Sequence, residues 1–313
     1  MKRILLTGAA GFIGRHCLPR LTAMGYEVHA ADLAIPNENF KNINWHLVDL
    51  LNPDETSDLL ARIQPSHLLH LAWYTAPGNY WASPENLHWV QASLDLIRAF
   101  HRHGGRRVVA AGTCAEYDWK YGYCSEEVTP RQPATLYGMC KNSLQNLIQA
   151  FAKETGINAA WGHVFFLYGP HEHPQRLIPS VICRLLRRET APCTNGRQIR
   201  DFLYVEDVAA ALVALLASDV SGPVNIASGQ PVALKNIIKE IAIRLNGADL
   251  IRLGALTRSP EEPELLVADV RRLSWEVGWS PQYDLSQGLE RTIKWWHEYL
   301  DREDQDQQSP IRG

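Results

Sequence analysis

Short apolar runs alternate along this chain with stretches in which apolar positions recur every three or four residues, beginning within the first ten residues. Ile4, Leu5 and Leu6 run into Thr7, which predicts a buried strand, and residues 15–24 carry helical spacing that stops at Gly25. The same reading gives strands at 27–31 and 44–48, an amphipathic helix at 53–63 and a buried strand at 67–72. A loop at 73–83, a long helix at 84–103 and a strand at 107–111 follow. An extended loop rich in Tyr, Gly and acids covers 112–133, a second long helix 134–155 and a further strand 159–166. Strands alternating with helices predict an α/β fold around a doubly wound, mostly parallel sheet.

Candidate chemistry enters at the first strand-to-helix junction. Thr7-Gly8-Ala9-Ala10-Gly11-Phe12-Ile13-Gly14 places Gly-x-x-Gly-x-x-Gly there. Gly8 permits the tight turn, Gly11 lets backbone approach a diphosphate, and Gly14 lets helix pack on strand. Amides at the helix start and the positive end of its dipole then face the anion. The second strand ends in Asp32, where a carboxylate suits the ribose hydroxyls of a dinucleotide. Residues 1–168 therefore read as a dinucleotide-binding unit.

Beyond Tyr168-Gly169-Pro170 the alternation breaks, and residues 171–200 carry several prolines and six arginines. A helix at 205–217, a strand at 223–227, a helix at 234–245, a strand at 265–269 and a Trp-rich helix at 285–300 follow. We expect residues 169–300 to form mainly a smaller C-terminal α/β substrate-binding lobe, with part of 200–227 returning to the first sheet. The polar, charged stretch 301–313 is expected to be a disordered tail.

Bulk properties narrow the partners. Of 313 residues, 31 are Lys or Arg and 34 are Asp or Glu, a net charge of −3. Neither nucleic acid nor membrane is expected as a partner, and an anionic ligand must be met by local cations. No run approaches the roughly 18 apolar residues of a membrane span, and Met1-Lys2-Arg3 leads straight into the first strand, so a cytoplasmic protein is expected. Cys17, Cys114, Cys124, Cys140, Cys183 and Cys193 lack C-x-x-C spacing and read as reduced thiols. Nothing completes a ligand set around His171 and His173, so no metal is expected.

Tyr137 and Lys141 stand at i and i+4 on the second long helix and share one face. An ammonium beside a phenol favours phenolate and lowers a pKa that is ordinarily near 10, which suits proton transfer to or from an alcohol or ketone oxygen. Thr113, just beyond the strand at 107–111, supplies a hydroxyl for the same oxygen.

These motifs resemble those of the extended short-chain dehydrogenase/reductase family of nucleotide-sugar epimerases, dehydratases and ketoreductases. The likeness also includes Asp49-Leu50, His70-Leu71-Ala72, Tyr117, Tyr168-Gly169-Pro170 and the segment from Arg200-Asp201 to Val208, and extends to about Leu300. It implies a Rossmann-type fold in which Gly8, Gly11 and Gly14, in one cofactor-binding turn with Phe12 and Ile13, hold the diphosphate. It implies further that Asp32 meets the adenosine ribose, Asp49 and Leu50 the adenine, and that Leu71 and Ala72 line the cofactor. By the same likeness Tyr137 is the acid-base, Lys141 binds the nicotinamide ribose and Thr113 orients substrate. A homodimer through the helices at 84–103 and 134–155 is implied as well.

A nucleotide diphosphate-sugar needs its phosphates neutralised, for which Arg200 is the first candidate and Arg184, Arg258 and Arg176 are others. Family 4,6-dehydratases carry Asp-Glu directly after the hydroxyl residue, where this chain has Cys114 and Ala115. Members that epimerise at C3 and C5 and then reduce carry Cys and His where Ala115 and Arg176 stand, and the Arg and Asn usual before Tyr168 are replaced by His163 and Phe166. What remains is plain hydride chemistry: reduction of a 4-keto nucleotide-sugar. NAD is favoured over NADP because Asp32 repels a 2′-phosphate, with Arg15 in position to assist one. A 4-epimerase with tightly bound NAD uses the same residues and stays open, as does a non-catalytic dinucleotide sensor.

Overall fold

The computed structural model describes residues 2–259 and 262–308. In chain order its elements begin with β1 (Arg3–Thr7), α1 (Gly14–Ala23), β2 (Glu27–Asp32), β3 (Ile43–Leu47), α2 (Pro53–Ile63), β4 (His67–His70), α3 (Glu85–Arg102) and β5 (Arg107–Thr113). Next come β6 (Tyr123–Cys124), α4 (Leu136–Thr155), β7 (Asn158–Val164), β8 (Phe166–Tyr168), α5 (Leu177–Leu186), β9 (Ala191–Cys193), β10 (Ile199–Tyr204) and α6 (Val205–Ala217). The remaining elements are β11 (Gly222–Ile226), β12 (Pro231–Ala233), α7 (Leu234–Arg244), β13 (Ile251–Leu253), β14 (Leu265–Ala268) and α8 (Leu285–Gln308).

Seven parallel strands form the large sheet in the order β3-β2-β1-β4-β5-β7-β11. Its strands are apolar because both faces are covered. One apolar layer joins the sheet to α1 and α6 through Leu18, Leu21, Val208 and Leu212, and the opposite layer joins it to α2, α3 and α4 through Leu59, Phe100 and Leu144. The chain winds outward from β1 in one direction and from β4 in the other. Between the carboxyl ends of those two strands lies the switch point at which such sheets bind ligands. His70 fastens that point: its Nδ1 lies 2.7 Å from Thr7 Oγ1 and its Nε2 lies 2.9 Å from Ser93 Oγ, and burial pushes its pKa down to about 3.

A second sheet runs β12-β10-β14-β6, with β8 also paired to β10. Here the structure departs from simple periodicity. The stretch 112–133 reads as loop, yet Tyr123–Cys124 pairs with Val267 and Ala268 of the small sheet. Two residues leave no periodic signal. The arginine-rich stretch 171–200 contains the helix α5, whose Pro179 sits in the first turn, where a missing N–H costs nothing. Around α5, α7 and α8 lies a third apolar cluster that includes Ile182, Ile241, Leu289 and Trp296. The last helix runs to Gln308, into the stretch that composition marks as tail, and residues 309–313 lie outside the described residues. Among the described residues no helix is long and apolar enough to cross a membrane, and all six cysteines are buried free thiols.

The two sheets are joined at Asp201 on β10, which is fully buried. Its Oδ1 accepts from Ser228 N at 2.8 Å and from Ser228 Oγ at 2.6 Å. Its Oδ2 accepts from Gly229 N at 3.0 Å and Ala268 N at 3.3 Å. Ser228 and Gly229 follow β11 of the large sheet, whereas Ala268 ends β14 of the small one, so a single carboxylate ties both. Asp201→Asn turns two donors toward these donors, and we expect a loss of roughly 3 kcal/mol of unfolding free energy. Urea denaturation measures it; an unchanged midpoint would show that Asp201 does not hold the sheets together.

Candidate active site

The glycine turn closes between β1 and α1 as the spacing anticipates. Gly8 has φ +66°, and a Cβ there would stand 2.8 Å from Ala72 N, so the end of β4 lies directly against the turn. At Gly14 a Cβ would stand 2.1 Å from Gly8 O, which no side chain survives. Helix α1 begins without any side-chain cap on its first amides. Arg15 N and His16 N donate to the Gly11 and Ile13 carbonyls, so the anion cradle is the glycine turn itself with the positive end of the helix dipole behind it. Asp32 is fixed beside it, with Oδ2 accepting from Ala10 N and Oδ1 from Leu33 N, both at 2.8 Å. Leu50 and Ala72 share an apolar cluster with Ala31 at the end of β2, and Asp49 Oδ1 accepts from Leu51 N at 2.9 Å. Leu71 is half-buried at the mouth of β4, Ile13 packs on the α1 side of the sheet, and Phe12 reaches the apolar cluster of the small lobe. These residues fit a dinucleotide: a backbone cradle for diphosphate, an oriented carboxylate for ribose hydroxyls and an apolar slot for a base.

On the other side of the switch point, Thr135 caps α4 by accepting from Gly138 N at 3.1 Å, which sets the helix start and places Tyr137 in the first turn. The Tyr137 ring packs in one buried cluster with Tyr80 and with Ala115 of the turn after β5, and the Thr113 hydroxyl is among the groups around its phenol. Gly138 makes the approach possible, because a Cβ there would meet Ala115 O at 2.3 Å. Lys141, one turn on, donates to the Ala111 carbonyl at 2.9 Å and lies 3.7 Å from the centroid of the Trp73 ring. Tyr137, Thr113 and Lys141 are thus brought together.

The electrostatics differ from the sequence expectation. The phenol is raised above its ordinary value, because burial among aromatic rings outweighs the opposing influence of the nearby Thr113 hydroxyl. The Lys141 ammonium is itself desolvated, which lowers its pKa to about 7 even though Glu116 opposes the shift. Its hydrogen bond is also directed to Ala111, so the cation is not aimed at the phenol.

An aromatic wall encloses the pair. Tyr80 stands edge-on to Tyr137 at 4.9 Å, Trp81 at 5.7 Å, and the Trp81 carbonyl accepts from Tyr137 N at 3.0 Å. Buried Asn86 anchors this loop by donating to Tyr80 O at 2.7 Å and accepting from Trp73 Nε1 at 2.8 Å. The crowding of aromatics at 73–81 and 117–123 is the signal in the sequence; their convergence on Tyr137 is not.

The four candidate arginines separate. Arg176, at the start of α5, lies over Tyr80 with its guanidinium 5.4 Å from the ring centroid, so it reaches the Tyr137 wall. Beside it, Glu172 has a buried oxygen without a hydrogen-bond partner, and burial raises its pKa to about 8. Arg200 is buried under the small sheet, donating to Glu262 Oε1 at 2.9 Å and the Pro263 carbonyl at 2.7 Å, so it is not presented as a free cation. Arg258 is bound to the Glu264 carboxylate and the Glu262 carbonyl, and Arg184 pairs with Glu189 at 3.8 Å on the surface. His171 packs on Trp295 and bonds Arg15, while His173 accepts from Gln175 N. No cluster of three or more possible metal ligands occurs among the described residues.

Gly14→Ala should weaken binding of an adenine dinucleotide by on the order of 100-fold, because the cradle cannot close around an added methyl. Calorimetric titration checks this, and wild-type affinity in the variant would show that the turn is not the anion site.

A model of the NAD dependent epimerase/dehydratase family matches residues 4–227. UDP-glucuronic acid decarboxylase 1 of Xenopus tropicalis is 28% identical over 324 residues, spanning 99% of this chain and 75% of the relative. Among solved structures, a UDP-glucuronic acid 4-epimerase from Bacillus cereus, in complex with UDP-glucuronic acid and NAD, is 25% identical, with a TM-score of 0.84 over 95% of this chain and 99% of that one. A UDP-N-acetylglucosamine 4-epimerase from Methanobrevibacter ruminantium M1, 24% identical, shares the fold with a TM-score of 0.86 over 96% of this chain and 99% of that one. With more than half its length matched, this chain belongs to the NAD dependent epimerase/dehydratase family.

Proposed function

We propose that this protein reduces the C4 ketone of a nucleotide diphosphate-sugar, with NAD as its cofactor pair. The observation that carries the reading is the convergence of the Tyr137 phenol and the Thr113 hydroxyl inside an aromatic wall, where burial keeps the proton on the phenol. Reduction needs a proton donor there. When bound, the nicotinamide would supply hydride to C4. As the carbonyl electrons move onto oxygen, Thr113 donates to the developing alkoxide and Tyr137 delivers its proton, which leaves a hydroxyl. Lys141, one helical turn on, would hold the nicotinamide ribose, its ammonium fixed by the Ala111 carbonyl and the Trp73 ring. Cys114 is buried and held above its ordinary thiol pKa, and Ala115 has no acidic group, so neither residue supplies the acid-base chemistry of water elimination.

Arg176 is the cation available to an anionic substrate beside this wall. NAD is preferred over NADP in this reading because the Asp32 carboxylate, fixed beside the glycine turn, would repel a 2′-phosphate, and because Arg15 is tied to Glu38 at 3.1 Å and to the Ala10 carbonyl at 3.2 Å.

A 4-epimerase is the second reading, favoured by the likeness to the Bacillus cereus enzyme. The same residues would then work in both directions on one sugar. Tyr137→Phe should lower kcat by roughly 10²–10⁴-fold with dinucleotide binding retained. Cofactor stoichiometry separates the readings: a reductase oxidises one NADH per 4-keto sugar, whereas an epimerase turns over without added cofactor. Full activity in Tyr137→Phe contradicts both.

The reading includes a homodimer through α3 and α4, whose shared groove is lined by Leu87, Val90, Leu94, Leu147 and Phe151. Light scattering should give twice the chain mass, and Leu87→Glu with Leu147→Glu should return it to a monomer; a monomeric wild type would contradict this.

A further inference from the structure

Directly behind the Thr113 and Tyr137 pair sits a carboxylate to which the chemistry above gives no task. Glu116 is fully buried, in the short turn Cys114–Glu116 that follows β5. Its Oε1 accepts from Thr113 N at 2.8 Å and from Trp161 Nε1 at 3.1 Å, and its Oε2 lies 3.2 Å from both Trp161 Nε1 and His163 Nε2. In return, the Thr113 hydroxyl oxygen accepts from Ala115 N at 3.2 Å, so Thr113 and Glu116 close a capping box on each other. The Trp161 ring links this anion to Lys141, whose Nζ lies 5.8 Å from its centroid while its N–H points at the carboxylate.

We propose that Glu116 is a positioning residue of the active site: its carboxylate fixes the Thr113 backbone, and with it the hydroxyl facing Tyr137, and supplies the buried negative charge opposite Lys141 across Trp161. Stability alone does not account for it. A buried ionic group is often matched or bettered by apolar residues of similar volume. The hydroxyl it orients, by contrast, must stay within hydrogen-bond reach of one phenol. The groups facing Lys141 sort by element. Glu116 comes from the turn, and His70 from β4 is neutral because burial pushes it to about 3. Tyr137 comes from the same helix with its phenol protonated, and the Ala111 carbonyl and the Trp73 ring complete the set. Burial lowers Lys141, and Glu116 is the charge that opposes this.

The inference rests on the proposed function, in which Tyr137 and Thr113 serve the reacting oxygen and Lys141 stands one helical turn on, and its test has a readout besides turnover. Glu116→Gln and Glu116→Asp are made in the full chain, and the Lys141 ammonium is titrated by 15N-lysine NMR, assigned with Lys141→Arg. In Glu116→Gln the Lys141 titration should fall by about one pH unit. The alkaline limb of kcat/KM should move down with it, because the ammonium is lost at lower pH. Glu116→Asp keeps the charge but withdraws from the Thr113 amide, so kcat should fall by roughly tenfold while the limb stays near its wild-type position. An unmoved Lys141 titration in Glu116→Gln overturns the proposal. So does a limb that moves as far in Glu116→Asp as in Glu116→Gln. If Glu116→Gln does not fold, Glu116→Asp decides alone: a shifted limb or an unchanged kcat overturns the proposal. A wild-type protein that turns over no nucleotide-sugar contradicts the proposed function, and the NMR titration still judges Glu116.

Discussion

The placing of the Thr113 hydroxyl beside the Tyr137 phenol is the constraint on which the site depends, because it sets the end of a central strand against the first turn of a helix that follows a long excursion through the small sheet. Three constraints bring the two side chains together. Thr135 caps the helix and sets its first turn, Gly138 removes the Cβ that would strike the Ala115 carbonyl, and Glu116 fixes the Thr113 amide. Each is local.

The same enclosure decides the proton chemistry. Taking a phenol and an ammonium out of water favours the neutral form of each, so burial pushes Tyr137 up and Lys141 down. The spacing of Tyr and Lys on one helix face suggests the opposite for the phenol, since it counts the nearby charge and not the cost of desolvation. Geometry resolves the conflict: the Lys141 hydrogen bond goes to the Ala111 carbonyl, and rings from the 73–81 loop displace water around the phenol. A site of this kind holds its proton until a more basic oxygen arrives, which is what reduction of a ketone produces.

Much of this was legible in the chain because short-range rules govern it. The run Ile4 to Gly14 specifies strand, turn and helix through apolar pattern and glycine placement, and the parallel strands follow from their uniform apolarity. The assembly of the small lobe was less legible. Tyr123 and Cys124 pair with residues far along the chain, a long-range match without local periodicity. Arg200 looked like a ligand for phosphate because its residue type suits that role, but residues 262–264 take up its donors, and only the tertiary fold reveals such competition. Arg176, in contrast, reaches the wall because α5 begins where the sequence suggested irregular chain.

The central claim is that hydride is exchanged at the sugar carbon facing Tyr137 and Thr113. Incubating the protein with a 4-keto nucleotide-sugar and NADH deuterated at the transferable position of the nicotinamide, then locating the label in the product by NMR, tests it most directly. The account predicts deuterium bonded to C4 of the sugar. Deuterium at another carbon, or product formed without label, would contradict it.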